Sequence, residues 1–258
     1  MDTDGILQVM KETAAEIITP RFRALADGDV EQKAGPNDLV TVADKEAEEV
    51  ITRRLQDAFP DALVVGEEAV FAQPALRDRL PNADHTFVID PIDGTRNFVR
   101  GLDEHGVMIA ETRGGVTTRG WIWQPQTGRA YVVERGAGVR LNGDPVARTH
   151  TDRPPLGASS KTKLQGFTAD GHLSPVVRSH FACCFDYPAV LHGDIDFMFF
   201  ISMHPWDHLA GSLMLTESGG VSRTMDGLAY TVLNRSRGLL VASDVLVWMT
   251  AQQYWPLT

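Results

Sequence analysis

Apolar residues occur along the chain in short runs bounded by glycine, proline and polar residues, a pattern typical of mixed strands and helices. In residues 1–150 the pattern predicts two helices, at about 4–26 and 41–59. Strand-like runs follow, separated by the turn signals 113–115 and 124–128, and together they predict a mainly antiparallel meander. The predicted strands are 63–66, 86–90, 105–112, 116–123, 129–134 and 139–141.

The pattern changes at the proline-rich segment 153–155, after which strands and helices alternate. This alternation predicts a mixed sheet with helices on its faces. We therefore expect an α+β to α/β protein of two halves, an antiparallel-sheet half at 1–150 and an α/β half at 151–258, without a flexible linker. The predicted strands of the second half are 156–159, 181–185, 195–200, 220–223 and 238–242. Its predicted helices are 174–180, 186–192, 206–218 and 244–254.

The composition suits one large domain or two closely packed ones, because 43% of the 258 residues are hydrophobic and 22% are charged. No stretch approaches the roughly 20 apolar residues of a membrane span. The acidic residues 1–4 lack the pattern of a signal peptide. Cys183 and Cys184 are adjacent in a predicted strand, which predicts free core thiols pointing to opposite faces. We expect a cytoplasmic protein without a membrane partner.

The most informative segment is 90–98, which reads Asp-Pro-Ile-Asp-Gly-Thr-Arg-Asn-Phe and follows the apolar, β-prone run 86–89. Asp90 and Asp93 would repel each other at a strand end unless a cation lay between them. Mg²⁺ takes oxygen ligands and prefers one or two carboxylates together with substrate phosphate oxygens. The next two residues, Gly-Thr, begin a predicted helix, where unpaired N–H groups and the helix dipole favour a phosphate. The segment therefore predicts a site for phosphate chemistry.

Further acids stand at predicted strand ends and helix starts, although each alone is as readily a helix cap. The formal net charge is −10, and two or three divalent ions would bring it to about −6 or −4. This acidity indicates a metal site, and the lack of a basic stripe argues against a nucleic-acid partner. The acids concerned are Asp44, Glu67, Glu68, Asp90, Asp93 and Asp207.

In chain order these segments resemble the inositol monophosphatase family, from about Lys33 to Gly220 and so over nearly the whole chain. The resemblance implies a layered α/β/α/β/α sandwich, Mg²⁺ as cofactor, inhibition by lithium and a homodimer. The segments that carry it are Lys33, Asp38-Leu39-Val40-Thr41 with Asp44, Gly66-Glu67-Glu68, 90–95, Trp206-Asp207 and Glu217-Ser218-Gly219-Gly220.

The resemblance also implies which residues bind metal. Glu67, Asp90 and the backbone carbonyl of Ile92 would hold one ion. Asp90, Asp93 and Asp207 would hold a second, with Asp90 bridging the two. A third, more loosely held ion would lie near Glu67, so two or three Mg²⁺ are expected in each subunit.

The catalytic residues implied by the resemblance are Asp44, Thr95 and Glu67. Asp44 and Thr95 would form a hydrogen-bonded pair that positions and deprotonates a metal-bound water. The backbone N–H groups of Gly94 and Thr95 would bind the phosphate. Lys33 matches a position near the active-site loop, and Glu68 is expected to support the ligands without binding metal itself.

Two positions set this chain apart from the inositol-phosphate members of the family. Phe181-Ala182-Cys183 stands where those members have Gly-Thr/Ser-Ala, and Phe200 stands where they have a glutamate that accepts hydrogen bonds from the ring hydroxyls. The machinery for phosphate is thus complete, while the residue that recognises the alcohol differs. The residues expected to contact substrate are Asp93, Gly94, Thr95, Cys183, Phe200 and Asp207.

These observations predict a Mg²⁺-dependent phosphomonoesterase for a small soluble phosphate ester, with inositol monophosphate as the leading substrate. A histidinol-phosphate or 3′,5′-bisphosphonucleotide phosphatase is an alternative within the family. An enzyme that forms an aspartyl-phosphate is disfavoured, because its two carboxylates stand at i and i+2, whereas Asp90 and Asp93 stand at i and i+3. A catalytically inactive binding subunit is the alternative from another class.

Overall fold

Seven strands of the first half form the larger sheet of the computed structural model, which describes residues 1–33, 39–148, 153–234 and 238–256. The first two of the seven are parallel and the rest antiparallel, which confirms the predicted meander. In order across the sheet they are β3 (Leu63–Gly66), β4 (His85–Asp93), β5 (Gly106–Arg113), β6 (Val116–Gln124), β7 (Arg129–Glu134), β8 (Gly138–Leu141) and β9 (Asp144–Pro145). A separate antiparallel pair consists of β1 (Val30–Gln32) and β2 (Leu39–Thr41). Asp38 of the family motif lies outside the described residues.

Five strands of the second half form a mixed sheet, as predicted. The strand β10 is parallel to both of its neighbours, β11 and β12, and the remaining pairs are antiparallel. In order across the sheet they are β11 (Ser174–Arg178), β10 (Leu156–Ser159), β12 (Phe197–Phe200), β14 (Leu239–Ala242) and β13 (Val221–Thr224).

Helices lie on both sides of each sheet, so that the layers alternate α/β/α/β/α and confirm the expected fold. The helices α1 and α3 cover the outer face of the larger sheet, α6 and α7 fill the space between the sheets, and α8 covers the far face of the smaller one. Among the described residues, every helix is too short or too polar to span a bilayer. The helices are α1 (Thr3–Thr13, continued by a π-helical turn and α2, Thr19–Arg21), α3 (Val42–Ala58), α4 (Glu67–Ala72), α5 (Thr95–Val99), α6 (Cys183–His192), α7 (Pro205–Glu217) and α8 (Val245–Tyr254).

The strands alternate their side chains between layers, because successive residues of a strand point to opposite faces. In β5, Val107 and Ile109 pack against the outer helices, whereas Met108 and Ala110 pack against the helices between the sheets. That central cluster contains residues from both halves of the chain, so one hydrophobic core joins the two sheets.

Residues 174–180, predicted to be a helix, instead contain the edge strand β11, so that prediction is wrong. Its Val176 and Val177 are β-branched and suit a strand. Pro175 is tolerated because an edge strand has N–H positions that need no partner. The deciding factor is the parallel partner β10, which only the folded chain brings alongside.

Residues 181–185, predicted to be a strand, contain the start of helix α6, so this prediction is also wrong. Pro188 inside the helix cannot donate to the carbonyl of Cys184. The side chain of Gln124 donates to that carbonyl at 2.7 Å, which lets the helix begin before the proline. Both cysteines are free as predicted; Cys184 is buried in the core, and Cys183 is partly buried and packs against that core.

Candidate metal and phosphate site

Strand β4 carries two carboxylates of the candidate site and runs directly into helix α5. Asp90 and Asp93 are both buried near the end of β4, where the pairing with β5 becomes irregular. Gly94 then adopts φ +82°, a left-handed conformation that glycine tolerates, and α5 begins at Thr95. An added Cβ on Gly94 would lie 2.9 Å from both Ala182 Cβ and the Glu104 carbonyl oxygen. This glycine therefore supplies both the turn and the close approach of segment 180–182.

Three carboxylates from different elements converge beside this turn. One oxygen each of Glu67, Asp90 and Asp207 lies within 4.8 Å of the others, although the three residues belong to α4, β4 and α7. Burial, together with the charges of Glu67 and Asp93, raises the pKa of Asp90 and of Asp207 well above the ordinary value. Asp90 Oδ1 is buried and has no hydrogen-bond partner among the residues that the structure describes. A divalent cation that prefers oxygen ligands fits this arrangement, because it would satisfy that atom and neutralise the repulsion.

Asp93 and Ile92 lie next to the cluster and make additional contacts. Asp93 Oδ2 accepts the backbone N–H of Cys184 at 2.7 Å, which ties β4 to the start of α6. Burial raises the pKa of Asp93 to about 6 despite hydrogen bonds that favour its charged form. The Ile92 carbonyl oxygen lies 2.9 Å from the Thr95 hydroxyl, whose single proton it shares with Asp44. Both residues line the same cavity as the three converging carboxylates.

Thr95 also contacts the buried Asp44, so the structure brings this predicted pair together. The Thr95 hydroxyl donates to Asp44 Oδ1 at 3.1 Å. Asp44 Oδ2 accepts the backbone N–H of Thr41 at 2.8 Å in a capping box that starts helix α3. Burial raises the pKa of Asp44 to about 7, although the hydrogen bonds from Thr41 act in the opposite direction. A carboxyl with such a pKa can take up or release a proton near neutral pH.

Lys33 lies against the cluster with its side chain only 3% exposed. Its ammonium contacts Glu67 at 2.9 Å and Glu68 at 2.5 Å. Burial by itself would lower the pKa of Lys33, but the charge of Glu67 and the hydrogen bonds to both carboxylates raise it above its ordinary value. Glu68 therefore contacts the lysine, while Glu67 contacts both the lysine and the acidic cluster.

Glu48 is a site residue that the sequence reasoning missed. Its carboxylate accepts the backbone N–H groups of Glu68 and Ala69, each at 2.8 Å, and so caps the helix that carries Glu67. Burial raises its pKa to about 7. The sequence feature that could have identified Glu48 is its position four residues after Asp44, which places both residues on the same face of α3. Gly66 makes the contact possible, because an added Cβ there would lie 2.0 Å from Glu48 Cδ.

Gly66→Ala should therefore destabilise the protein by about 2–4 kcal/mol, as a clash in a packed interior does. Glu48→Ala should cost about 1–3 kcal/mol, because it leaves the α4 N–H groups without their acceptor. The double variant should be about as stable as Glu48→Ala alone, since the shortened side chain leaves room for the new methyl group. Urea unfolding of all four proteins measures this double-mutant cycle. Additive losses would contradict the clash.

Two adjoining cavities meet at the cluster. The first, of about 280 Å³, contains Glu67, Asp90 and Thr95. The second, of about 320 Å³, extends towards β12 and contains Cys183 and Phe200. Both are lined by Asp93, Phe181 and Asp207. A larger open cleft of about 1200 Å³ lies beside Gln56 and His85, but none of the carboxylates of the acidic cluster lines it. The position of the candidate site therefore follows from the acidic cluster and not from cavity size.

The two residues expected to contact the alcohol of the substrate differ in accessibility. Phe200 is only 9% exposed. The centroid of its ring lies 5.5 Å from that of Tyr187 and 4.7 Å from that of His208. Only a small part of the residue therefore reaches the second cavity. Cys183 is partly exposed as a residue, and its thiol has Asp207 and His208 within 4.8 Å. Burial and the charge of Asp93 raise the pKa of Cys183, so its thiol is neutral.

Phe181 lines both cavities and was not among the predicted contacts. Its backbone has φ +59°, in the left-handed region. No sequence pattern indicates this conformation, which glycine and asparagine adopt far more readily than phenylalanine.

The chain is similar to known proteins both in sequence and in fold. The profile of the inositol monophosphatase family matches residues 3–255. An inositol-1-monophosphatase from Bacillus subtilis is 29% identical over 235 residues, covering 87% of this chain and 85% of that protein. Nus factor SuhB from Escherichia coli is 30% identical over 227 residues, covering 83% and 82%. The structure of an IMPase from Thermotoga maritima has the same fold, with a TM-score of 0.82, 23% identity and coverage of 97% and 96%.

Proposed function

Because the chain belongs to the inositol monophosphatase family, we propose that it is a Mg²⁺-dependent phosphomonoesterase acting on a small soluble phosphate ester. The observation that carries the proposal is the buried, unpartnered Asp90 oxygen within the cluster of Glu67, Asp90 and Asp207. A buried carboxylate charge without compensation is strongly unfavourable, and a bound cation would provide that compensation.

The proposed metal ligands are Glu67, Asp90, Asp93, Asp207 and the carbonyl of Ile92. Bound Mg²⁺ would neutralise these carboxylates and the phosphate oxygens, and would lower the pKa of water. Two or three ions per subunit would match the charge of the cluster. Glu67 reaches the cluster from α4, whose position depends on the Glu48 cap.

Thr95 and Asp44 are the proposed acceptors of the proton released by the attacking water. The Thr95 hydroxyl already donates to Asp44, so a proton taken by the threonine oxygen can be passed to the carboxylate. The P–O bond to water forms as the P–O bond to the alcohol breaks, and the departing alkoxide oxygen takes a proton from solvent water. The backbone N–H groups of Gly94 and Thr95 are proposed to hold the phosphate during this exchange.

Inositol 1-phosphate is the first candidate substrate, because the relative from Bacillus subtilis is an inositol-1-monophosphatase. The second cavity favours another candidate, because Phe200 and Phe181 contribute apolar surface where a polyol needs hydrogen-bond partners. Histidinol phosphate and adenosine 3′,5′-bisphosphate each carry a flat ring that suits such surface. Phosphate release from these esters and from sugar phosphates, with Mg²⁺ and with a chelator, tests the proposal. Absence of Mg²⁺-dependent release from every ester would contradict it.

The Thr95–Asp44 pair predicts a specific order of activities. Thr95→Val keeps the shape of the side chain but removes the hydroxyl, and kcat should fall by about 10²–10⁴-fold, the range of general-base catalysis. Thr95→Ser keeps the hydroxyl and should retain kcat within about tenfold. KM should change less than kcat in both variants. Steady-state kinetics on the best ester measures this, and equal kcat values for the valine and serine variants would exclude the role.

A non-catalytic role is the competing proposal, suggested by the relative named Nus factor SuhB. A chain that had only this role would release no phosphate from any ester in the screen. The proposal also includes a cytoplasmic homodimer that lithium inhibits. Sedimentation of the purified protein, and turnover with LiCl compared with NaCl, test these two features.

A further inference from the structure

Phe181 is held in a backbone conformation that does not suit its side chain. A bulky residue with φ +59° is an outlier, because its Cβ crowds the following carbonyl. Strain of this kind persists where surrounding contacts enforce it, and it concentrates at ligand sites. Glycine would adopt the same conformation without the steric penalty. The phenylalanine side chain therefore stands at a position whose backbone conformation is unfavourable for it.

Contacts on both sides hold this conformation in place. The Phe181 N–H donates to Ser179 Oγ at 3.2 Å, and the preceding carbonyl of His180 accepts from Asn97 Nδ2 at 2.8 Å. The following residue, Ala182, packs directly against Gly94 of the phosphate turn. The segment is thus clamped against the motif that carries the candidate chemistry.

The ring of Phe181 lies where the two cavities join. The guanidinium of Arg178 lies over the ring at 4.9 Å from its centroid, and that of Arg96 at 5.6 Å. These contacts restrict the rotamer of the ring. Since Phe181 lines both cavities, an ester with its phosphate in the first must place its alcohol beside this ring.

The second cavity is lined by polar as well as apolar residues, and several of its polar groups already have partners within the protein. Both ring nitrogens of His208 are engaged, one with the Tyr187 hydroxyl at 3.1 Å and the other with the Ser202 carbonyl at 2.9 Å. Asp186 Oδ1 accepts the backbone N–H of His180 at 2.8 Å. Ser160, Ser179 and Cys183 add polar atoms to the wall, whereas Phe181 and strand β12 supply its apolar part. A hydroxyl desolvated here without a partner would lose binding, whereas an apolar ring would gain it.

We propose that Phe181 is a specificity-determining residue, whose ring selects phosphate monoesters with an apolar ring in the alcohol part over esters of polyols. The inference rests on the proposed phosphatase activity.

Three esters of primary alcohols test the selection: benzyl phosphate, cyclohexylmethyl phosphate and glycerol 1-phosphate. We expect kcat/KM of the wild type with Mg²⁺ to be at least about tenfold higher for the two ring esters, as a single apolar contact can provide. Phe181→Ala should lower kcat/KM for the ring esters by about tenfold and change that for glycerol 1-phosphate by less than about threefold. Phe181→Leu, which keeps apolar bulk, should retain most of the preference. An equal loss for all three esters in Phe181→Ala would show a structural role and overturn the inference.

The outcomes separate this inference from the proposed function. If the wild type hydrolyses no ester, the phosphatase proposal fails, and calorimetric binding of benzylphosphonate and 2-hydroxyethylphosphonate in Mg²⁺ becomes the test. Equal affinity of the two phosphonates, or a preference that survives Phe181→Ala, overturns the selection by Phe181.

The melting temperatures of two variants test the backbone strain at Phe181 separately from substrate selection. Phe181→Gly and Phe181→Ala both remove the ring, but only glycine relieves the left-handed conformation. The glycine variant should therefore melt about 2–8 °C above the alanine variant. If the alanine variant melts at as high a temperature as the glycine variant, the backbone at Phe181 is not strained. Backbone strain then gives no support to a role of the ring in substrate selection.

Discussion

Asp90→Asn should lower phosphate release at saturating Mg²⁺ by at least about a hundredfold, because one of the shared carboxylate charges of the cluster is lost. The same change should leave the fold intact in the absence of metal. It should even raise the melting temperature of the metal-free protein, since Asp90 is buried among Glu67, Asp93 and Asp207, which repel its charge. Loss of activity together with gain of stability is the signature of a functional carboxylate, as opposed to a structural one.

The matched control is Asp57→Asn, the same substitution at an exposed position outside the site. It should change neither activity nor melting temperature measurably. Turnover of Asp90→Asn near the wild-type level would eliminate the assignment of Asp90 as a metal ligand. A large loss of stability in the metal-free variant would instead indicate that Asp90 is structural.

Mg²⁺ should stabilise the chelator-treated protein more strongly than any other single change of conditions. Binding only to the folded state contributes about 2.7 kcal/mol per site at a hundredfold excess over Kd. For a chain of this size, that corresponds to a rise in melting temperature of about 5–10 °C per site. The gain should be large at pH 7.5 and should shrink at pH 5, because protonated carboxylates bind metal poorly.

In the metal-free protein the buried carboxylates should contribute the opposite pH dependence. Burial raises the pKa of Asp44 from 3.8 to about 7 and that of Asp93 from 3.8 to about 6, and it raises those of Asp90 and Asp207 as well. Between about pH 4 and 7 the folded state therefore binds more protons than the unfolded state. The stability from these groups is complete below pH 4 and is lost as the pH rises through 6 and 7. Metal replaces the lost protons.

Thermal melts with Mg²⁺, with a chelator, and with NaCl at matched ionic strength measure both effects. NaCl should not reproduce the Mg²⁺ shift, because screening is weak for buried charges. The proposed metal cluster is wrong if Mg²⁺ at pH 7.5 shifts the midpoint no more than matched NaCl does. A metal-free Asp44→Asn variant that loses as much stability as the wild type between pH 5 and pH 7.5 would contradict the raised pKa of Asp44.

Several features of this protein could be predicted from the sequence because they depend on neighbours along the chain. The strand before Asp90 and the helix starts near Thr41 and Thr95 all arise from local hydrophobic pattern, glycine and capping residues. The meander of β5 to β8 follows from alternating residues and tight turns. The resemblance to a family supplied the order in which the distant acids should meet.

Other features were decided only by the tertiary structure, because they depend on residues far apart in sequence. Residues 174–180 became a strand since β10 lies beside them, and helix α6 begins before Pro188 since Gln124 satisfies the freed carbonyl. The same holds for the cap that Glu48 provides to α4 and for the left-handed backbone of Phe181. The sequence alone thus predicted most of the residues proposed to carry the chemistry and most of the elements that hold them. Their distances, burial and pKa values, and the wall of the second cavity, come from packing between elements that local pattern does not encode.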